Sequence, residues 1–177
     1  MNNRNKCNLL IWCGLVALTH TSAEEATCTL CPAGTASKAT GSTNSRTCEV
    51  CGYNKWSDIG ASECIDCHDN SQSETRQSTS ADECLCNSGF YGSGHCIACT
   101  AGSYKNTMGS AACTLCPAGT ANKDIGSTVS GACVNCKDNS WSGIGASECI
   151  SCTSNSQSLD QSTSSNACKC KQGYFHV

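Results

Sequence analysis

The sequence predicts a small disulfide-rich fold, a tandem series of short β-hairpins that forms an elongated rod. Three observations carry this expectation. Residues 24–177 hold 18 of the 20 cysteines, they hold few large apolar residues, and they contain an internal duplication with a period of about 85 residues. Cysteine makes up about 12% of that span, above the level that marks a disulfide scaffold. The same span has four leucines (Leu30, Leu85, Leu115, Leu159) and two phenylalanines. Ordering a residue costs roughly 1.5 kcal/mol, which so little apolar area cannot offset. Cross-links then supply the difference, at about 3 kcal/mol for a loop of roughly 15 residues.

Residues 1–23 read as a secretory signal peptide. Arg4 and Lys6 precede a short apolar run from Leu9 to Leu18, and Thr21-Ser22-Ala23 offers small residues for cleavage before Glu24. Cys7 and Cys13 leave with this segment, and the remaining even number fits full pairing in an oxidising compartment. No second apolar stretch follows, so the mature chain is expected to have no membrane span and no lipid-anchor tail. Nine Lys and Arg against 14 acidic residues give the mature part a net charge of −5, without charged blocks. Such a surface makes nucleic acid an unexpected partner. Localisation is expected to be secreted, or at the cell surface within a longer anchored protein.

Internal repetition sets the architecture. Cys28-Thr-Leu-Cys31-Pro-Ala-Gly-Thr-Ala returns as Cys113-Thr-Leu-Cys116-Pro-Ala-Gly-Thr-Ala. Trp56-Ser-Asp-Ile59-Gly-Ala-Ser-Glu-Cys64 answers to Trp141-Ser-Gly-Ile144-Gly-Ala-Ser-Glu-Cys149, and Cys84-Leu-Cys86 to Cys168-Lys-Cys170. The mature chain divides into a first block over 24–99 and a second over 100–177, the latter incomplete at its C-terminus. Within each block, Cys-x-x-Cys pairs alternate with polar stretches and Gly or Ser turns. Short strands joined by tight turns are the only secondary structure this pattern supports. Trp56 and Trp141 are each expected to cover a disulfide and form a miniature core with Ile59 or Ile144. An exposed, ligand-binding tryptophan is the alternative.

Ala101-Gly102-Ser103-Tyr104-Lys105, then Gly109-Ser110 and Cys113-Thr-Leu-Cys116, closely resembles the ephrin-receptor-like cysteine-rich repeat, as does the segment around Pro117-Ala-Gly119-Thr. The resemblance covers nearly all of residues 28–177, and it implies an extracellular architecture shared with receptor ectodomains and protist surface proteins. The sequence departs from the pattern at Ala36 and Ala121, where an aromatic is usual. Cys84-Leu-Cys86-Asn-Ser-Gly89-Phe90 followed by Cys96 resembles the C-terminal half of an EGF-like module. The acidic set of the calcium-binding variant is absent ahead of Cys51.

Two pairing schemes follow. In a ladder, the second cysteine of each pair bonds the first cysteine of the next. In an EGF-like crossing, Cys51 bonds Cys67 and Cys64 bonds Cys84, with Cys136–Cys152 and Cys149–Cys168 in the second copy. Both schemes contain Cys31–Cys48, Cys86–Cys96, Cys99–Cys113 and Cys116–Cys133, which are therefore the expected disulfides. Both leave Cys28 and Cys170 over. Either the chain is a piece of a longer repeat array, or these two cysteines link neighbouring molecules head to tail, a heterologous contact that builds open filaments.

The cysteines admit rival chemistry. Pairs such as 28/31 and 48/51 also fit a four-cysteine zinc site, but pairs running through the whole chain behind a signal peptide favour oxidation. Redox catalysis through Cys-x-x-Cys needs a helix start on a βαβ scaffold, and no such pattern is present. His68, His95 and His176 are scattered along the chain without an evident partner. No catalytic residue, cofactor or metal is assigned. The expected function is that of a structural, adhesive or surface-antigen component. The alternative is a secreted or shed receptor-ectodomain-like module that binds a protein or cell-surface partner.

Overall fold

A computed structural model describes residues 28–175. The signal peptide over 1–23, Cys7, Cys13 and His176 lie outside them. Eight disulfides occur in series, and each closes one two-stranded antiparallel hairpin. Hairpin 1 pairs Thr35–Ala36 with Glu49–Val50, and hairpin 2 pairs Lys55–Trp56 with Ile65–Asp66. Hairpin 3 pairs Ser71–Gln72 with Leu85–Cys86, and hairpin 4 pairs Phe90–Tyr91 with Ile97–Ala98. Hairpins 5 and 6 pair Ser103–Tyr104 with Thr114–Leu115 and Thr120–Ala121 with Val134–Asn135. Hairpins 7 and 8 pair Ser140–Trp141 with Ile150–Ser151 and Ser156–Gln157 with Lys169–Cys170.

The bridges are Cys31–Cys48, Cys51–Cys64, Cys67–Cys84, Cys86–Cys96, Cys99–Cys113, Cys116–Cys133, Cys136–Cys149 and Cys152–Cys168. The ladder therefore runs throughout, and the EGF-like crossing does not form. In each hairpin the paired cysteines stand at the strand ends with Cα atoms 5.4–5.8 Å apart, a separation a disulfide spans readily. Crossing would tie together cysteines of different hairpins. In the four longest loops a 3-10 turn leads directly into the closing cysteine: Ser45–Thr47, Ala81–Glu83, Ser130–Ala132 and Ser165–Ala167.

Successive hairpins are stapled by a recurring set of backbone bonds. Between hairpins 5 and 6, Gly102 N–H donates to the Asn122 carbonyl, Lys105 N–H to Ser127, and Gly126 N–H to Cys99. The same three bonds recur from hairpin 1 to 2, 4 to 5, 6 to 7 and 7 to 8. From hairpin 2 to 3 two are kept, Ser57 N–H to Ser78 and Gln77 N–H to Cys51. There a side-chain exchange between Asn54 and Ser73 replaces the third. Within hairpins 1–3 and within hairpins 4–8, each hairpin is bonded to the next along the chain, so each series grows in one direction.

The core matches this plan. The buried apolar residues are Cys51, Cys86, Cys99, Cys116, Cys136 and Ala36. The rest of the interior is polar. The residue after the first strand is buried in six of the eight hairpins, and three examples show why it can be: Ser57 Oγ donates to Thr35 O (2.9 Å), Ser142 Oγ to Thr120 O (2.8 Å), and Asn122 Nδ2 to Ser103 O (3.0 Å). Each donor thus reaches the carbonyl of the first strand residue one hairpin back. A hydroxyl can occupy so dry a position because its bond is made. Replacing Ser142 with Ala leaves the Thr120 carbonyl short of a partner. The expected cost is about 1–2 kcal/mol, readable as a lower denaturant midpoint against the exposed control Ser147→Ala.

One junction is different. Among the described residues, the three-bond staple is missing between hairpins 3 and 4, where Asn87 N–H donates to the Asn70 carbonyl instead. The cause is legible in the chain. Elsewhere two residues separate the closing cysteine of one hairpin from the opening cysteine of the next, but Cys84 and Cys86 are separated only by Leu85. Side chains alternate faces along an extended strand. A three-residue step sends consecutive bridges to opposite faces, whereas a two-residue step sends them to the same face. Stacking stops there and restarts at Cys86, while the staples run unbroken across residues 99 and 100.

Candidate functional site

The polar and disulfide interior leaves the larger apolar side chains outside. Val50, Ile65, Leu85, Ile97, Leu115, Val134 and Ile150 are all exposed, one on the second strand of each hairpin from 1 to 7. Three of them face an aromatic across the hairpin: Ile65 opposite Trp56, Ile97 opposite Tyr91, and Ile150 opposite Trp141. Cross-strand aromatic–aliphatic pairs of this type stabilise an otherwise marginal two-stranded ribbon. Each also leaves a half-covered aromatic edge and a free aliphatic group at the surface. The candidate site is this repeated surface, carried on a rigid stapled frame.

The two tryptophans are half-buried, as expected of residues that pack. Their partners differ from the sequence reading. Ile59 and Ile144 are 61% and 72% exposed, so they form no miniature core. The turn around Gly60 and Gly145 carries them outward, and the cross-strand Ile65 and Ile150 take their place. The indole Nε1 of Trp56 is buried without a hydrogen-bond partner.

Lys105 is the one buried charged side chain among the described residues, 3% exposed. It occupies the slot that serine fills in other hairpins, and its Nζ donates to Phe90 O (2.7 Å) and Gly109 O (2.5 Å). Burial pulls its ammonium below the ordinary lysine range. The two carbonyls hold it in place as a tie between hairpins 4 and 5. Lys105→Met should cost about 2–3 kcal/mol, since it leaves both carbonyls unpaired in a dry site. Chemical denaturation of the oxidised protein measures it.

Sequence reasoning placed the histidines apart, yet the structure brings two of them together. The rings of His68 and His95 stack, with centroids 5.2 Å and planes 19° apart. His68 follows Cys67 at the start of hairpin 3, and His95 precedes Cys96 at the end of hairpin 4. They meet only because the ladder places Cys67 and Cys96 at neighbouring hairpin ends, which 27 residues of sequence separation conceals.

Among the described residues, no group of three or more His, Cys, Asp or Glu is placed to hold a metal ion. Cys31, Cys48 and Cys51 are consumed in bridges, which removes the thiolates a zinc site would use. Cys28 is exposed and Cys170 half-buried, and neither forms a disulfide among these residues. The crevices described are shallow. One of about 310 Å³ lies beside Cys84, Leu85 and Cys86, and another of about 470 Å³ lies between hairpins 7 and 8.

Residues 88–133 match the family model described as tyrosine-protein kinase ephrin type A/B receptor-like. The matched span runs from the turn that opens hairpin 4 to Cys133, the closing cysteine of hairpin 6. Comparison with curated proteins finds no match. Residues 88–133 are thus an ephrin-receptor-like cysteine-rich module, a non-catalytic type of extracellular repeat, and eight hairpins and eight bridges built to one plan make the described residues a tandem of similar disulfide-closed units. No helix among the described residues is long and apolar enough to cross a membrane.

Proposed function

We propose that this ephrin-receptor-like repeat protein serves outside the cell as a structural or adhesive component, of the kind displayed as a surface antigen, and not as an enzyme. One observation carries the reading: seven exposed aliphatic side chains recur, one on each of hairpins 1–7, along a frame whose interior is bridges and hydrogen bonds. A periodic surface suits many weak, additive contacts, because linked contacts raise avidity without any single strong site. Cys28 and Cys170 add a covalent route, in which copies join head to tail through the two unbridged thiols. The secretory leader read at residues 1–23 delivers the chain to this setting.

A second reading is favoured by the match at 88–133. In it, hairpins 4 to 6 form a receptor-ectodomain-like module that binds one protein partner. Cell-binding assays separate the two. The adhesive reading expects Ile65→Asp, Ile97→Asp and Ile150→Asp each to weaken binding about three-fold and to multiply in combination. The module reading expects Ile97→Asp alone to abolish saturable binding. Because these side chains are exposed, thermal stability should move by only a few degrees in either case.

A further inference from the structure

We propose that two copies of this chain join by completing one hairpin between them. Thr29–Leu30 of one copy receives Tyr174–Phe175 of the next, and Cys28 bonds Cys170 across the new pair. The inference rests on the head-to-tail route of the reading above and gives that route a structure.

The repeat register runs past hairpin 1. Cys28-Thr29-Leu30-Cys31 repeats Cys113-Thr114-Leu115-Cys116, whose middle residues form the second strand of hairpin 5. It also occupies the same place in the stack. The Cys31 carbonyl accepts from Gly60 N–H as the Cys116 carbonyl accepts from Gly145 N–H, both at 2.8 Å. Leu30 lies against Gly60 as Leu115 lies against Gly145. A second strand is thus held in position, yet among the described residues no first strand pairs with it.

The matching piece follows hairpin 8. Cys170-Lys171-Gln172-Gly173-Tyr174-Phe175 takes the place of Cys86-Asn87-Ser88-Gly89-Phe90-Tyr91, which opens hairpin 4. Gly173 has φ of +86° and Gly89 of +83°. Lys171 N–H donates to Asn155 O and Tyr174 N–H to Lys171 O, as Asn87 N–H donates to Asn70 O and Phe90 N–H to Asn87 O. This segment is a first strand already shaped for its hairpin, and among the described residues no second strand pairs with it.

The two halves fit in one register. In hairpins 4 and 5 the residue after the opening glycine faces the residue before the last cysteine, Phe90 facing Ala98 and Ser103 facing Leu115. The same rule sets Tyr174 opposite Leu30 and Phe175 opposite Thr29, an aromatic facing a β-branched residue. In both hairpins that cysteine's N–H donates to the glycine carbonyl, Cys99 to Gly89 and Cys116 to Gly102. The corresponding Cys31 N–H and Gly173 carbonyl make no backbone bond among the described residues. The joint also continues the staples into hairpin 1. Gly126 N–H donates to Cys99 O, and Gly41, with φ of +67° against +68° at Gly126, has its N–H free of backbone partners for Cys170 O. An unpaired strand edge takes up a strand of another chain through such main-chain bonds.

Charge favours head to tail over head to head. Residues 28–86 carry eight acidic and four basic side chains, whereas residues 87–175 carry four acidic and five basic, with Lys169 and Lys171 flanking Cys170. Two acidic halves repel where unlike halves do not.

Opening and closing cysteines stand 5.4–5.8 Å apart at Cα in the existing hairpins, so the same pairing brings Cys170 and Cys28 within bonding reach. The oxidant is a small-molecule disulfide such as glutathione disulfide. The Cys28 thiolate attacks it, forming a mixed disulfide and releasing one thiol. The Cys170 thiolate then attacks the Cys28 sulfur and expels the second. Two protein thiols become one bridge, and one small disulfide becomes two thiols.

The test uses the secreted full chain in a glutathione redox buffer, read by light scattering, non-reducing gels and mass spectrometry of unreduced peptides. Concentration-dependent multimers are expected, with Cys28–Cys170 as their intermolecular link. Cys28→Ser and Cys170→Ser should each remove the covalent multimers. Phe175→Pro keeps both thiols but removes a main-chain donor from the joint, and should lower the multimer yield about ten-fold. Phe175 is 82% exposed, so the eight internal bridges should form as before. A chain that stays monomeric, Cys28 bonded to a cysteine of its own copy, or an unchanged yield in Phe175→Pro would overturn the proposal. So would a statistical mixture of Cys28–Cys28, Cys28–Cys170 and Cys170–Cys170 links, a readout that needs no variant. Cell binding by the Cys28→Ser protein separates this from the adhesive reading. Binding without multimers in the unaltered chain would remove the joint alone, and multimers without cell binding would remove adhesion alone.

Discussion

In excess reductant, and without any change of pH or temperature, the oxidised protein should lose its cooperative thermal transition and expose all 16 bridged cysteines to alkylation. The physical reason is the composition of the interior. Besides cysteine, the buried residues are serine, threonine, asparagine, lysine, four glycines and one alanine. Hydrogen bonds from such side chains contribute only about 1 kcal/mol each against water. They cannot offset the entropy of ordering loops of 10 to 17 residues. Each bridge removes about 3 kcal/mol of that entropy from the unfolded chain. Eight independent closures make the loss on reduction larger than the whole stability of an ordinary domain. Circular dichroism with and without reductant, alongside alkylation counted by mass spectrometry, measures it. A cooperative transition retained after full reduction would show a core that the residues do not supply.

The second large effect is expected at Gly102. It opens hairpin 5 with φ of +83°, and a Cβ placed there would sit 2.0 Å from the Gly145 carbonyl oxygen, two hairpins further on. Gly34, Gly89 and Gly119 make the same approach to Gln77, Gly126 and Gln161. Hairpins 2, 3, 7 and 8 open instead with Asn54, Asn70, Asn139 and Asn155, all with positive φ. The choice follows the stacking. Only hairpins 1, 4, 5 and 6 have a second neighbour within their own stapled stack, and there only glycine fits. Where none covers the turn, asparagine takes the left-handed conformation at modest cost. Gly102→Ala should therefore cost at least 3 kcal/mol, the sum of left-handed strain and a backbone collision. Gly41→Ala, with positive φ but nothing within 4 Å, should cost about 1 kcal/mol. Equal losses for the two variants would mean that second-neighbour contact does not constrain the stack.

Much of this architecture was legible in the residues. Cysteine spacing gave the hairpins and four of the bridges, since Cys31–Cys48 and Cys116–Cys133 close similar loops in the two copies. The choice between ladder and crossing at Cys51, Cys64, Cys67 and Cys84 was not legible. Both schemes close loops of acceptable length, and only strand pairing makes Cys51 and Cys64 neighbours. The polar spine was missed because a serine such as Ser142 looks like loop composition until the carbonyl of Thr120 is brought to it. The Ile59 and Ile144 misreading has a similar origin: both follow a tryptophan by three residues, yet a turn rather than a strand carries them. The signals that could have helped were the Cys-x-Cys step at 84/86 and the alternation of Gly with Asn before each first strand.

The most direct test of the central claim, a rod of sequentially closed hairpins, is a disulfide map of the intact oxidised protein. Proteolysis without reduction, followed by mass spectrometry, should recover Cys51 linked to Cys64 and Cys67 linked to Cys84, with Cys136–Cys149 and Cys152–Cys168 in the second copy. Recovery of Cys51 with Cys67 and Cys64 with Cys84 would contradict it, because those links tie separate hairpins together and would break the staples on which the rod depends.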